Sequence, residues 1–245
     1  MGSRASHTAV CSPCLQMNDT SKMRLTPSVE DYLKAIYALT ERGEAASTSA
    51  LAEALDVQPA SITGMIKRLA DFGYVEHTRY RGVHLTEKGS KAALRVIRRH
   101  RILETYLQTH LGFTWDDVHS EAERLEHAAS ETLIERMATI LRHPSHDPHG
   151  APIPTSAGEV EPSKYDTLND IAPGTTVQIH SVRDEDPERL RYMETLGLTP
   201  GIRLTVHGRA PFDGPLTVSV SDGNASEVVG SDLAGRIFVT PVGPD

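Results

Sequence analysis

The chain has 245 residues, of which 38% are hydrophobic and 24% charged, enough for one large domain or two to three small ones. It contains no run long and apolar enough for a membrane span, and its first 23 residues lack the apolar stretch of a signal peptide, so a cytoplasmic location and no membrane partner are expected. The net charge of −8 argues against a nucleic-acid partner only globally: residues 24–101 carry 13 Lys and Arg against 9 Asp and Glu, and residues 102–245 carry 10 against 23. A basic module suits phosphate, and a strongly acidic one suits cations or simply solubility.

Residues 1–23 hold both cysteines, Cys11 and Cys14, with no partner at metal-ligand spacing, and read as a disordered extension. Ser28 and Asp31 open a first helix with the apolar stripe Leu33, Ile36 and Tyr37, and Gly43 stops it. A short helix runs from Thr48 to about Leu55. Asp56-Val57-Gln58 turns the chain into Pro59, a favoured first helical residue, and a third helix runs to about Asp71, burying Ile62, Met65, Ile66 and Leu69. Val75 to Leu85 is a two-strand pattern around Tyr80-Arg81-Gly82. Three short helices and a basic hairpin are the plan of a winged helix-turn-helix, assigned to residues 24–92.

Thr86 starts a long helix ending near Leu111. Thr114 with Asp117, and then Ser130, open two more helices, with Val118, Ala122 and Leu125 and with Leu133, Ile134, Met137, Ile140 and Leu141 as their apolar residues. This block, residues 93–142, is too thin to bury every stripe alone and reads as a homodimer interface with twofold symmetry. Residues 143–163, rich in Pro, His and Gly, read as a linker or ordered loop. Over 164–245 the apolar period becomes two, from Val177 to Val239, interrupted by one helix from Pro187 to Leu196, which reads as a small β-barrel. The fold class is therefore a multi-domain α+β chain.

On the third helix, Gln58, Ser61 and Thr63 can reach base edges or phosphates. Ala60 can touch a thymine methyl, Pro59 sets the helix start, and Gly64 permits close approach. Lys67 and Arg68, with Arg79 and Arg81 of the wing, can reach phosphates. Double-stranded operator DNA is the expected partner. Each polar residue is equally compatible with a plain solvated helix face.

The second constellation is His119, Glu123, Glu126 and His127, which at about 100° per residue share one helix face. His100 and Glu104 stand four apart on the preceding helix, which must fold back antiparallel, and Asp31 is a further candidate. Taken singly these read as caps and surface charges, and His100 sits in the basic run Arg98-Arg99-His100-Arg101. Together they read as a metal site of carboxylates and imidazoles, suited to Mn²⁺ or Fe²⁺. The pattern H-x-x-E-H is nearly met at 123–127, but Glu123 occupies the first His place, and no nucleophile elbow or phosphate loop occurs, so an enzyme, including a metallohydrolase, is a remote reading. A winged-helix regulator answering an organic ligand is the other alternative.

The stretches Ser28-Val29-Glu30-Asp31-Tyr32-Leu33, Gln58-Pro59-Ala60-Ser61, Tyr80-Arg81-Gly82-Val83-His84-Leu85-Thr86 and His119-x3-Glu123-x2-Glu126-His127 resemble the diphtheria-toxin-repressor / manganese-transport-regulator family. Residues 190–201 resemble the SH3-like, ferrous-transport-A-like domain that ends its three-domain members. The resemblance implies a winged helix, a helical dimerisation domain and an SH3-like barrel. It implies a primary metal site of Asp31, Glu123, Glu126 and His127. It also implies an ancillary site of His100, Glu104 and His119, with Asp186 and Glu188 as the nearest matches for donors from the SH3-like domain. Two ions per subunit follow.

Iron-type members carry Met and Cys where this chain has Asp31 and Glu123, which favours manganese. Short manganese-type members carry Glu where this chain has Lys34, which favours two separate sites. The expected function is repression of metal-uptake genes by a metal-ordered dimer, an iron-dependent repressor being the alternative. In the metal-free protein the clustered carboxylates are expected to repel, letting the DNA-binding and dimer modules move apart.

Overall fold

The computed structural model describes residues 25–41, 46–78, 82–160, 165–184, 186–220 and 226–242. The proposed extension over 1–23 lies outside them, as do Arg79 and Arg81. Helices α1 (Pro27–Glu41), α2 (Thr48–Ala54) and α3 (Pro59–Asp71) precede a hairpin of β1 (Val75–Thr78) and β2 (Gly82–Leu85), paired antiparallel with Val75 opposite Leu85. Their apolar faces close one core around Leu33, Ile36, Leu51, Ile62, Leu69 and Val83. Ser47 caps α2 by accepting from the Ala50 amide, whereas the cap residue of α3, Gln58, makes no such bond and keeps its side chain free.

Helix α4 (Glu87–Leu111) is the spine. Thr86 caps it by accepting from Gly89 N–H, and Gly112 ends it in the left-handed region, at φ 74°. Gly89 is required: a Cβ there would stand 2.0 Å from the Tyr74 carbonyl oxygen, so only glycine lets the spine start against the wing. Helices α5 (Val118–Leu125) and α6 (Glu131–Ile140) fold back on α4 around Ile102, Leu103, Leu107, Val118 and Ile134. Thr114 hydrogen-bonds Asp117, but the Asp117 side chain does not cap α5, so the expected capping box at this turn is not formed as such. Ser130 does cap α6, as its position suggests.

The last module holds β3 (Asp166–Thr167), β4 (Thr176–Val182), α7 (Pro187–Thr195), β5 (Arg203–Arg209), β6 (Leu216–Val220), β7 (Ser226–Val229), α8 (Ser231–Ala234) and β8 (Ile237–Pro241). Its strands form one antiparallel SH3-like sheet in the order β3-β8-β4-β5-β6-β7. Trp115, from the turn between α4 and α5, is buried in this third core with Leu168, Ile179, Leu190 and Val239.

Residues 143–160 are an ordered strap rather than a loose connection. Gly150, at φ 82°, lies so close to β4 that a Cβ would fall 1.9 Å from the His180 carbonyl oxygen. Val182 N–H donates to the His149 carbonyl at 2.8 Å. The strap thus pins the sheet against the helical block. Among the described residues no helix is long and apolar enough to cross a membrane.

Candidate metal centre and DNA-facing helix

The centre is assembled where α1, α4, α5 and the strap meet. Residues 126 and 127 lie in the turn just beyond α5, which aims Glu126 inward and His127 towards α1. His127 Nε2 stands 2.8 Å from Asp31 Oδ1 and 3.5 Å from Glu126 Oε1. Its other nitrogen, Nδ1, is 2.7 Å from Glu30 Oε2. Glu30 in turn accepts from Arg99 Nη2 at 2.6 Å, and Arg99 Nη1 donates to Glu131 at 3.0 Å. Burial pushes the Asp31 carboxyl above its usual range, against the opposing pull of His127.

Next to this group lies a second. His100 Nε2 is 2.8 Å from Glu104 Oε1 and 3.1 Å from His119 Nδ1, and its Nδ1 is 2.6 Å from Glu126 Oε2. His119 Nε2 is 3.8 Å from Glu123 Oε1. Burial works against a charged His100, yet Glu104 and the bond to Glu126 outweigh it and push its pKa up to about 9. The Glu104 carboxylate is held well below its usual range: burial opposes this, but His100 dominates.

A third group was not legible in the sequence: Asp147 and His149 of the strap face Glu104. His149 Nδ1 is 3.9 Å from Glu104 Oε2, and its Nε2 lies 2.7 Å from the Trp115 carbonyl. Asp147 accepts from the His149 and Ala151 amides at 2.9 Å each. Burial raises the Asp147 carboxyl, while burial of His149 is outweighed by Glu104, so that its pKa is raised as well. The only sequence signal was an Asp-x-His in a segment without periodicity.

Potential ligand atoms therefore gather as Asp31, Glu126 and His127; as His100, His119 and Glu123; and as Glu104, Asp147 and His149, each set within 4.8 Å. Glu123 stands with His100 and His119 rather than with Asp31. Asp186 lines the adjoining cavity of about 320 Å³, but Glu188 is exposed and does not. The Asp186 carboxylate caps α7, accepting from the amides of Glu188 and Arg189 at 2.9 and 3.4 Å. Asp184, two residues earlier, is the buried acid of this wall, paired with Arg189 at 3.0 Å and Arg236 at 3.5 Å.

The alternative in which His100 merely belongs to a solvated basic run does not hold: Arg98 pairs with Glu135, Arg99 with Glu30 and Glu131, and Arg101 with Asp147, because α4 is covered on several sides. Nor are the clustered carboxylates left to repel one another. Lys34 of α1 reaches between them, bonded to Glu123 and, at 3.1 Å, to both oxygens of Glu126. Burial alone would depress the Lys34 pKa, but the two glutamates outweigh it and hold the ammonium charged.

The donor chemistry fits a hard divalent cation. Every candidate ligand is a carboxylate or an imidazole, the acids outnumber the bases, and a lysine ammonium already serves as a stand-in cation among them. In the first module, Gln58 just before α3 and Pro59, Ala60, Ser61, Thr63, Lys67 and Arg68 on it are all exposed, with Ile62, Ile66 and Leu69 turned inward.

Known proteins match this architecture throughout. Residues 24–83 match the iron dependent repressor N-terminal DNA binding domain, residues 86–155 its metal binding and dimerisation domain, and residues 167–241 the FeoA domain. The chain belongs to the iron-dependent repressor family. Among its relatives is the HTH-type transcriptional regulator MntR of Oceanobacillus iheyensis, 39% identical over 118 residues, which are 48% of this chain and 80% of that one. The iron-dependent repressor IdeR of Mycobacterium tuberculosis is 31% identical over 195 residues, 74% of this chain and 84% of that one. A solved manganese-dependent transcriptional repressor in complex with manganese superposes with a TM-score of 0.81 at 39% identity, covering 87% of this chain and 99% of the other. The manganese regulator SloR gives 0.74 at 32% identity, covering 90% and 100%. Like its family, the chain is a metal-dependent, DNA-binding regulator of transcription in metal homeostasis.

Proposed function

We propose that this protein is a homodimer that responds to Mn²⁺ ahead of Fe²⁺, binds operator DNA through α3 and represses genes of metal uptake. The observation that carries this reading is the contact of Asp31 with His127. It joins the first helix of the DNA-binding module to the metal and dimer module at a group of oxygen and imidazole donors only. Asp31, Glu126 and His127 are the residues that would hold one ion, with Glu123 at the seam towards a second, on the side of His100 and His119. His100, Glu104 and His119, with Asp147 and His149 completing the shell, would hold a second. A bound divalent ion supplies two positive charges and a fixed coordination geometry to these donors. Carboxylates at positions 31 and 123, with no thiolate or thioether, favour manganese, and the relatives named for manganese regulation support the same choice.

The protein's own groups convert that occupancy into DNA affinity. When Asp31 is held against Glu126 and His127, α1 is fixed on the turn after α5, and with α1 the orientation of α3. In a dimer the spacing of two α3 helices then matches half-sites about one DNA turn apart. Gln58 and Ser61, free of capping duty, face the bases, while Lys67 and Arg68 face phosphates. The cavity beside the centre has a mixed lining, with Lys34, Arg101, Glu104, Asp147, Arg183 and Asp184 beside Tyr37, Ile97, Pro152 and Val182, and its charged groups sit next to the candidate ligands.

A mobility-shift titration with Mn²⁺, Fe²⁺ and Zn²⁺ in parallel tests the proposal. We expect metal-dependent binding to operator DNA, lost in Glu126→Ala and His127→Ala although both remain folded dimers. DNA binding that survives chelator treatment, or that is unchanged in these variants, would sink it.

A further inference from the structure

Lys34 stands at the seam of two ligand groups. It lies on α1 three residues beyond Asp31, hence on the same side of the helix. Its Nζ bonds to Glu123, lies 3.1 Å from both oxygens of Glu126 and 3.5 Å from His100 Nδ1. Glu126 belongs to the group with Asp31 and His127, and Glu123 to the group with His100 and His119. One ammonium thus engages a carboxylate from each, and Glu126, whose side chain is wholly buried, has no solvent to turn to instead. Because the oxygens that Lys34 occupies are those a cation at this centre would need, lysine and ion compete for the same atoms. The Lys34 side chain also borders the cavity of about 320 Å³, which leaves it room to withdraw.

Resting on the reading of these carboxylates as ion ligands, we propose that Lys34 is a tethered cation that holds Glu123 and Glu126 until a divalent ion displaces it, and so sets the ion concentration at which the protein responds. Two effects then act in one direction when its charge is removed. The competitor is gone, and the metal-free form keeps a buried carboxylate without its partner. If Lys34 were instead a fixed strut that supports the glutamates in both forms, its removal would weaken ion binding or leave it unchanged.

Calorimetric titration of Mn²⁺ into the full-length protein separates these outcomes. Lys34→Met is expected to bind the ion at the first centre about tenfold or more tightly, about 1.4 kcal/mol per factor of ten. Lys34→Arg, which keeps the charge, is expected to remain near the wild type. Metal-free Lys34→Met should melt lower than wild type and gain more on Mn²⁺ addition. In protein labelled with ¹⁵N-lysine, the Lys34 ammonium resonance should be protected without metal and become solvent-exposed when diamagnetic Cd²⁺ is added. If the methionine variant does not fold, Lys34→Gln takes its place in the titration. Binding no tighter than wild type, or a Lys34 resonance indifferent to Cd²⁺, overturns the proposal. Should His127→Ala bind Mn²⁺ as well as wild type does, the assignment of the centre itself fails, and that failure is separately visible.

Discussion

Glu30 decides which nitrogen of His127 is available. Its carboxylate lies 2.7 Å from Nδ1 and is placed to accept a proton held there, so that Nε2, 2.8 Å from Asp31 and 3.5 Å from Glu126, is the nitrogen that would face an ion. Arg99 holds the other Glu30 oxygen at 2.6 Å, so the imidazole is oriented by a chain of buried groups rather than by its own rotamer preference. Replacing Glu30 by Gln should lower Mn²⁺ affinity about 10- to 100-fold, the usual effect of losing such a partner, with little change in fold because Arg99 keeps Glu131. Calorimetry gives the affinity, and the ¹⁵N shifts of His127 report the tautomer. Unaltered shifts with unaltered affinity would reduce Glu30 to a structural pairing. That His119, Glu123, Glu126 and His127 gather was legible at this scale from their spacing, although the last two lie in the turn beyond α5 and group with Asp31, while the first two group with His100. The part played by Glu30 was not. It sits beside Asp31 in sequence but points to a neighbouring face, and only the return of α5 onto α1 gives it a ligand to orient.

Among the elements, α3 came through sequence reading with both ends correct, because Pro59 and the apolar positions Ile62, Ile66 and Leu69 leave little freedom. Its exposed face includes Gly64, where a Cβ would meet nothing within 4 Å. Gly64→Ala should therefore stabilise the protein by about 0.5–1 kcal/mol through helix propensity, seen as a higher melting temperature. The same methyl group should weaken operator binding if the backbone of α3 approaches DNA at this turn. A stabilised variant with full operator affinity would place the DNA contact elsewhere on the helix. The strap at 143–160 is the opposite case. Without periodicity or capping signals it reads as a linker or an ordered loop, and what decides for the ordered loop is tertiary: the close approach of Gly150 to β4 and the amide bonds that Asp147 collects. Asp147 and His149 acquire a metal-ligating position only through that docking. For a similar reason Asp184 escaped notice while Asp186 drew it. The latter is spent on capping α7, and the burial of the former is visible only in the folded sheet.

At the scale of the whole molecule, the three cores are interlocked through the metal-binding module, but α6 keeps two large apolar side chains exposed. Trp115 leaves the helical block to enter the core of the SH3-like sheet, and Asp116 beside it accepts from Arg191 of α7 at 2.7 Å, so the sheet is anchored to the turn that starts α5. On the far side, Leu133 and Ile140 are 44% and 55% exposed, and Leu111 at the end of α4 is 60% exposed. Leu133 and Ile140 are two turns apart on one face of α6, which the protomer itself does not cover. A second copy bringing the same face would bury them, and twofold pairing would set two α3 helices on one side of the dimer. Ile140→Glu should then be monomeric by light scattering and lose operator affinity, since one half-site alone gives up most of the binding free energy. Its metal centre, built within a protomer from α1, α4 and α5, should still bind Mn²⁺ with near wild-type affinity. A variant that stays dimeric would move the interface off α6. One that loses metal binding together with the dimer would mean that the centre depends on the partner, and not only on the groups that a single chain brings together.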